Sequence, residues 1–118
     1  MQDAKANDPE YEVMLARVED GIKTITEKYR GQRIIGILDP PRAGVNKDVI
    51  TALRRCRGLD HIIYVACSPS SIQDNLLQLT LPVTNKRKAP EFVIKQMFGF
   101  DLFPQTKHFE ALYYLQRT

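Results

Sequence analysis

The run Ile62-Ile63-Tyr64-Val65-Ala66-Cys67-Ser68-Pro69 joins an apolar, β-branched stretch directly to a Ser-Pro helix start. A strand that passes without a linker into a helix is the unit from which α/β sheets are built. Ser68 suits the helix N-cap and Pro69 the first helical position. Parallel strands end at the ligand-binding edge of such a sheet, and a helix N-terminus there stabilises a thiolate and attracts anionic groups. Cys67 is therefore a candidate nucleophile. The alternative is a buried small hydrophobe, a common use of free cysteine.

The rest of the chain reads around this unit. Residues 1 to 10 are polar and hold Pro9, which predicts a disordered tail, with one domain from 11 to 118. From Tyr11 to Tyr29, Met14, Leu15, Val18, Ile22 and Ile25 recur at helical spacing, and Gly31 is the expected stop. This helix is a candidate cover for an apolar sheet face. Ile34, Ile35, Ile37 and Leu38 form a nearly continuous apolar strand, the pattern of a parallel strand covered on both faces. It ends at Asp39-Pro40-Pro41-Arg42-Ala43-Gly44, where two prolines stiffen the turn and hold the carboxylate.

Asn46 is expected to cap a helix whose buried side is Val49, Leu53 and Cys56, flanked by Ile50 and Ala52, and which Gly58 ends. His61 to Ala66 is the second strand. The helix after Pro69 carries Ile72, Leu76 and Leu79, and Pro82 to Pro90 is expected to be the least ordered internal connection. Phe92 to Phe98 and Ala111 to Leu115 read as strands joined by the loop from Gly99 to Lys107. Two β-α-β crossovers and a terminal antiparallel hairpin describe half of an open α/β sheet. No glycine-rich strand-to-helix turn lies upstream to cradle a nucleotide.

At 118 residues and 43% hydrophobic content the chain suits one compact domain. Two cysteines and no secretory apolar region favour a reducing intracellular compartment, and no apolar run is long enough to span a membrane. The formal charge of +3 leans weakly towards anionic partners. Two basic clusters stand out, Arg54-Arg55 with Arg57 and Lys86-Arg87-Lys88; each reads as a solvated face or as an RNA contact. Cys56, His61, Cys67 and His108 lack paired ligand spacing, which argues against a metal site.

Asp39 and Cys67 each follow a predicted parallel strand and so emerge on one sheet edge. If the last strand runs antiparallel, its first residue, Glu110, reaches the same edge. A thiol and two carboxylates can support covalent catalysis, with the thiolate adding to an electrophilic carbon and a carboxylate removing a proton. The bland alternatives are a turn role for Asp39 and an exposed strand start for Glu110. His61 lies at the far end of its strand from Cys67, and His108 is open between substrate contact and packing.

Three motifs carry a resemblance to a known family. Asp39-Pro40-Pro41-Arg42-Ala43-Gly44, Tyr64-Val65-Ala66-Cys67-Ser68-Pro69 and the stretch from Asp101 to Glu110, Asp-Leu-Phe-Pro-Gln-Thr-Lys-His-Phe-Glu, resemble in order and spacing those of the RNA uracil-5-methyltransferases. The resemblance covers roughly residues 32 to 118. It implies the C-terminal half of a Rossmann-like class I methyltransferase fold, S-adenosylmethionine as methyl donor, and RNA, above all tRNA, as substrate.

Residue by residue, the resemblance implies that Cys67 attacks C6 of uracil and that Glu110 removes the C5 proton. It further implies that Asp39 lies between methyl donor and base. Arg42, Ser68 and His108 are the candidate substrate contacts, Arg42 with loop organisation as its alternative role. The family commonly has Asn after the cysteine, so Ser68 implies altered contacts. The upstream donor-binding half is missing from the resemblance, which predicts an incomplete and inactive piece, expected to be monomeric. Two other readings compete: an RNA cytosine-5-methyltransferase, and an RNA-binding or protein-docking domain with a non-catalytic cysteine.

Overall fold

The computed structural model describes residues 13–41, 43–66, 69–86, 88–100 and 110–118, with backbone only at 69–72. Among the described residues, three helices and four strands follow one another: α1 (Val18–Lys28), β1 (Ile34–Leu38), α2 (Lys47–Arg55), β2 (Leu59–Ala66), α3 (Pro69–Thr80), β3 (Phe92–Phe100) and β4 (Glu110–Arg117). The strands form one mixed sheet in the order β1-β2-β4-β3. β1 and β2 are parallel, and β4 is antiparallel to both β2 and β3. The last strand thus inserts between β2 and β3, which share a direction, and the α/β class with an open sheet and a terminal antiparallel pair is the observed one.

α2 forms where its cap demands. Asn46 is extended and its side chain accepts from Val49 N at 3.0 Å, which satisfies one of the orphan donors of the first turn. Val49, Ile50, Ala52 and Leu53 are buried, with Cys56 at the C-cap. All of these but Ala52 pack with Leu79 of α3 on the sheet face formed by Ile62, Tyr64, Ala66, Ala111, Tyr113 and Leu115. The helix ends at Arg55 rather than at Gly58. Gly58, at φ +89°, is needed for the turn into β2, where any Cβ would run into the carbonyl of Gln32.

Three expectations are corrected. The first helix starts at Val18, not Tyr11, among the residues described from 13 onward. Leu15 is 97% exposed, so extending the helix through it would gain no packing to offset the cost of ordering another turn. α1 packs on α2, and its only side chain against the core is Ile22; it covers no face of the sheet.

The third concerns β1. Ile35 and Ile37 are 60% and 70% exposed, so the strand is covered on one face and open on the other. Val93, Phe98 and Phe100 of β3 are exposed on that same open face, set there by the pairing of β1 with β2 and of β3 with β4. At the opposite edge β3 carries a bulge at Lys95, a charged irregularity that disfavours further strand pairing.

The connection from Pro82 to Pro90 is tied at several points rather than loose. Arg54, 4% exposed, donates to the carbonyls of Gln78, Leu81 and Ala89 at 2.9, 2.7 and 2.7 Å. It thereby supplies a cation to the C-terminal carbonyls of α3, whose own last turn has no basic residue. Arg117 does the same for α2. It donates to the carbonyls of Leu53, Arg54 and Cys56, and also to those of Leu59 and Pro90, at 2.8 to 3.2 Å. Its guanidinium lies 4.3 Å from the centroid of the Phe92 ring.

The predicted tail at 1 to 10 lies outside the described residues.

Candidate active site

The register fixes which residues share the carboxyl edge of the parallel strands. Leu38, the last residue of β1, pairs with Tyr64, and Ala66, the last of β2, pairs with Ala111. Asp39 therefore begins the turn on the same edge where Glu110 begins β4. Strand spacing and a two-residue stagger set their backbones roughly 12 Å apart across β2. Asp39 is exposed; Glu110 is half-buried and pairs with Phe100 on its other side. Cys67, which follows Ala66 in the chain, lies outside the described residues, as do Arg42, Ser68 and His108.

The turn that carries Asp39 is held by a device that sequence reading missed. Asn75 of α3, 7% exposed, donates from Nδ2 to the carbonyl of Val45 and accepts from Val45 N, both at 2.9 Å. The same Oδ1 accepts the hydroxyl of Tyr64 at 2.7 Å. One amide thus bonds the loop after β1, the floor of β2 and α3 together. Gly44, at φ +80°, lies against it, and a Cβ there would collide with Asn75 Oδ1. The amide N of Gly44 closes the turn onto the carbonyl of Pro41 at 2.8 Å. A buried Asn inside a helix has no sequence signature of its own; Gly44 was its only outward sign.

Tyr64 is fully buried, and burial raises its phenol from 10.0 to about 12. In the unfolded chain the phenol ionises first, so its share of stability is complete below pH 10 and is lost as pH rises through about 12. Urea midpoints at about pH 9 and about pH 11.5 should therefore fall more steeply for the unaltered chain than for Tyr64→Phe. Equal slopes would contradict the assignment.

Comparison with known proteins decides the family. The model for "tRNA (Uracil-5-)-methyltransferase" matches residues 12–118. The chain belongs to the tRNA (uracil-5-)-methyltransferase family. It is 34% identical over 122 residues to the human tRNA (uracil-5-)-methyltransferase homolog A, covering 99% of this chain but 20% of that relative. It is 29% identical over 117 residues to the tRNA/tmRNA (uracil-C(5))-methyltransferase of Shewanella sediminis, covering 90% of this chain and 29% of that relative. The chain thus spans a fifth to under a third of the length of these uracil-5-methyltransferases.

Other groups stand apart from the edge. His61 lies at the amino end of β2, where Nδ1 is 2.7 Å from the hydroxyl of Tyr114 and the rings stack at 5.9 Å. Among the described residues no helix is long and apolar enough to cross a membrane, and no His, Cys, Asp and Glu side chains group into a metal site. Three cavities formed by described residues lie away from this edge, lined by neither Asp39 nor Glu110.

Proposed function

We propose that this chain is the nucleophile-bearing, C-terminal part of the Rossmann-like catalytic domain of an intracellular enzyme that methylates C5 of uridine in tRNA. The observation that carries the reading is the insertion of β4 between β2 and β3. Its antiparallel register sets Glu110 beside the end of the strand that leads into Cys67. C5 of neutral uracil is a poor nucleophile. Addition of the Cys67 thiolate to C6 gives C5 enolate character, and removal of the C5 proton by Glu110 afterwards lets the thiolate leave.

S-adenosylmethionine, when bound, supplies an electrophilic methyl group. Asp39 fits one contact to that donor, because it offers an exposed carboxylate on the correct edge, held by the clamp on its turn. The family resemblance places the donor's nucleoside cradle upstream of the motifs in this stretch. Donor binding by this stretch alone is accordingly weak in this reading, and methyl transfer by it is slight. Arg42, Ser68 and His108 are proposed to meet the RNA, whose target base leaves its stack to react.

The test uses tRNA transcripts with labelled methyl donor and, in parallel, the same RNA with 5-fluorouridine, whose C5 fluorine makes C6 more electrophilic and so favours thiolate addition even without methyl transfer. The chain should capture the fluorinated RNA covalently in a manner abolished by Cys67→Ala, while incorporating little label into ordinary tRNA. Failure of Cys67-dependent capture would sink the catalytic assignment. Robust Cys67-dependent label incorporation would overturn the incompleteness of the site. A cysteine-dependent adduct on cytosine in place of uracil would favour cytosine methylation.

A further inference from the structure

We propose that a basic groove at the opposite end of the sheet is a second contact for the RNA backbone. This rests on the reading of tRNA as substrate and assigns it a surface remote from the chemistry. The two basic clusters, some thirty positions apart in the sequence, converge on it. Arg55 and Arg57 form one wall and Lys86 and Lys88 the other of a cavity of about 680 Å³. A smaller adjoining cavity, about 280 Å³, shares Arg55, Lys86 and Lys88 and adds Lys47.

The charge is one-sided. Among the described residues, the only carboxylate lining either cavity is Asp60, which already faces Arg117 at 3.5 Å. The neighbouring cavity between α1 and α2 shows that this is not general, since Glu19, Asp20, Glu27 and Asp48 interleave with its cations. Nor is the wall loosely hung. Buried Arg54 and half-buried Arg117 bond the carbonyls of Ala89 and Pro90, which fixes the strand of chain bearing Lys86 and Lys88 against the end of α2. The same two arginines neutralise the C-terminal carbonyls of α2 and α3. The exposed cations therefore face solvent without a local negative pole to satisfy.

Phosphates suit this surface better than an acidic protein does. The larger cavity offers no aromatic or large aliphatic anchor, only Cys56, Gly58, Ala89 and Pro90 beside its charges, whereas protein interfaces centre on such anchors. Polyanion binding needs only spaced cations on a fixed frame. The groove flanks the amino end of β2 and the carboxyl end of β4, and the candidate active edge lies at their other ends. Seven residues of strand rise separate them, roughly 23 Å, so one RNA touching both must extend over at least that distance.

The experiment measures tRNA binding by the full chain across a salt series. The exposed pairs Lys86→Ala/Lys88→Ala and Arg55→Ala/Arg57→Ala are compared with Lys23→Ala/Lys95→Ala, which removes equal charge elsewhere. Each groove pair should weaken binding about tenfold and flatten the slope of log K against log salt by about 1 to 2, with unchanged melting temperatures. The control pair should do neither. Groove pairs that behave like the control overturn the proposal, as does groove-dependent binding of polyglutamate without groove-dependent binding of tRNA. Cys67-dependent capture of fluorinated tRNA that ignores the groove substitutions would sink the groove alone; absence of both capture and tRNA binding would sink it together with the functional reading.

Discussion

Arg117→Met is expected to destabilise the fold by about 3–5 kcal/mol, seen as a large drop in the urea midpoint. Methionine keeps most of the side-chain volume and the contact with Phe92, so the loss reports the guanidinium. That group satisfies five backbone carbonyls: three at the end of α2, one at the start of β2 and one at Pro90 before β3. Replacing a whole buried polar network by apolar groups is often harmless, but backbone acceptors cannot be replaced: Leu53 and Cys56 would keep one backbone donor each, while the other carbonyls would lose the guanidinium without a substitute.

Asp60 contributes little by comparison. Its side chain is 55% exposed against 10% for Arg117, and Asp60→Asn should cost under about 1 kcal/mol. Burial lowers the Arg117 pKa, with Asp60 and Cys56 pushing it back up, and an arginine remains charged throughout the accessible pH range. Arg117→Lys, which keeps the charge and loses the planar fork, should recover less than half of the stability. If Arg117→Met unfolds at the unaltered midpoint, the guanidinium does not join α2 to the sheet.

These arginines mark where sequence reading stops. α2 was legible because its cap, its apolar stripe and its length are all local, and Asn46, Val49, Leu53 and Cys56 behave as their spacing predicts. β2 and β4 were legible for the same reason, although each extends beyond the predicted limits. Nothing local separates Arg54 from Arg55, yet one is buried and the other exposed. The carbonyls that select Arg54 lie 24 to 35 residues away, and those that select Arg117 are as much as 64 away. Such roles are properties of the assembled end of the sheet.

The same holds for β1. A run such as Ile34 to Leu38 has one composition whether its second face is covered or bare, so periodicity alone could not foresee exposed Ile35 and Ile37. Asp39 and Glu110 were placed on one edge correctly because topology needed only strand directions. The clamp of Asn75 on Tyr64 and Val45, which fixes the Asp39 turn, needed side-chain geometry that no spacing encodes.

In the enzyme completed by its donor-binding part, Glu110→Gln is expected to lower turnover of the proposed methylation by roughly 10²–10⁴-fold, the usual worth of a positioned general base. The amide is nearly isosteric, and Glu110 is half-buried at the start of β4, so the strand should form as before. What changes is the order of events. Attack by Cys67 on C6 does not require Glu110, nor does methyl transfer to C5; only removal of the C5 proton does, and without it the thiolate cannot leave. An enzyme carrying this change should therefore accumulate a denaturant-stable complex with ordinary uridine-containing tRNA, which the unaltered enzyme resolves. Cys67→Ala combined with Glu110→Gln should abolish that complex. A Glu110→Gln enzyme that turns over at the unaltered rate, or that stalls without any Cys67-linked RNA, would mean that the carboxylate at the start of β4 is not the base.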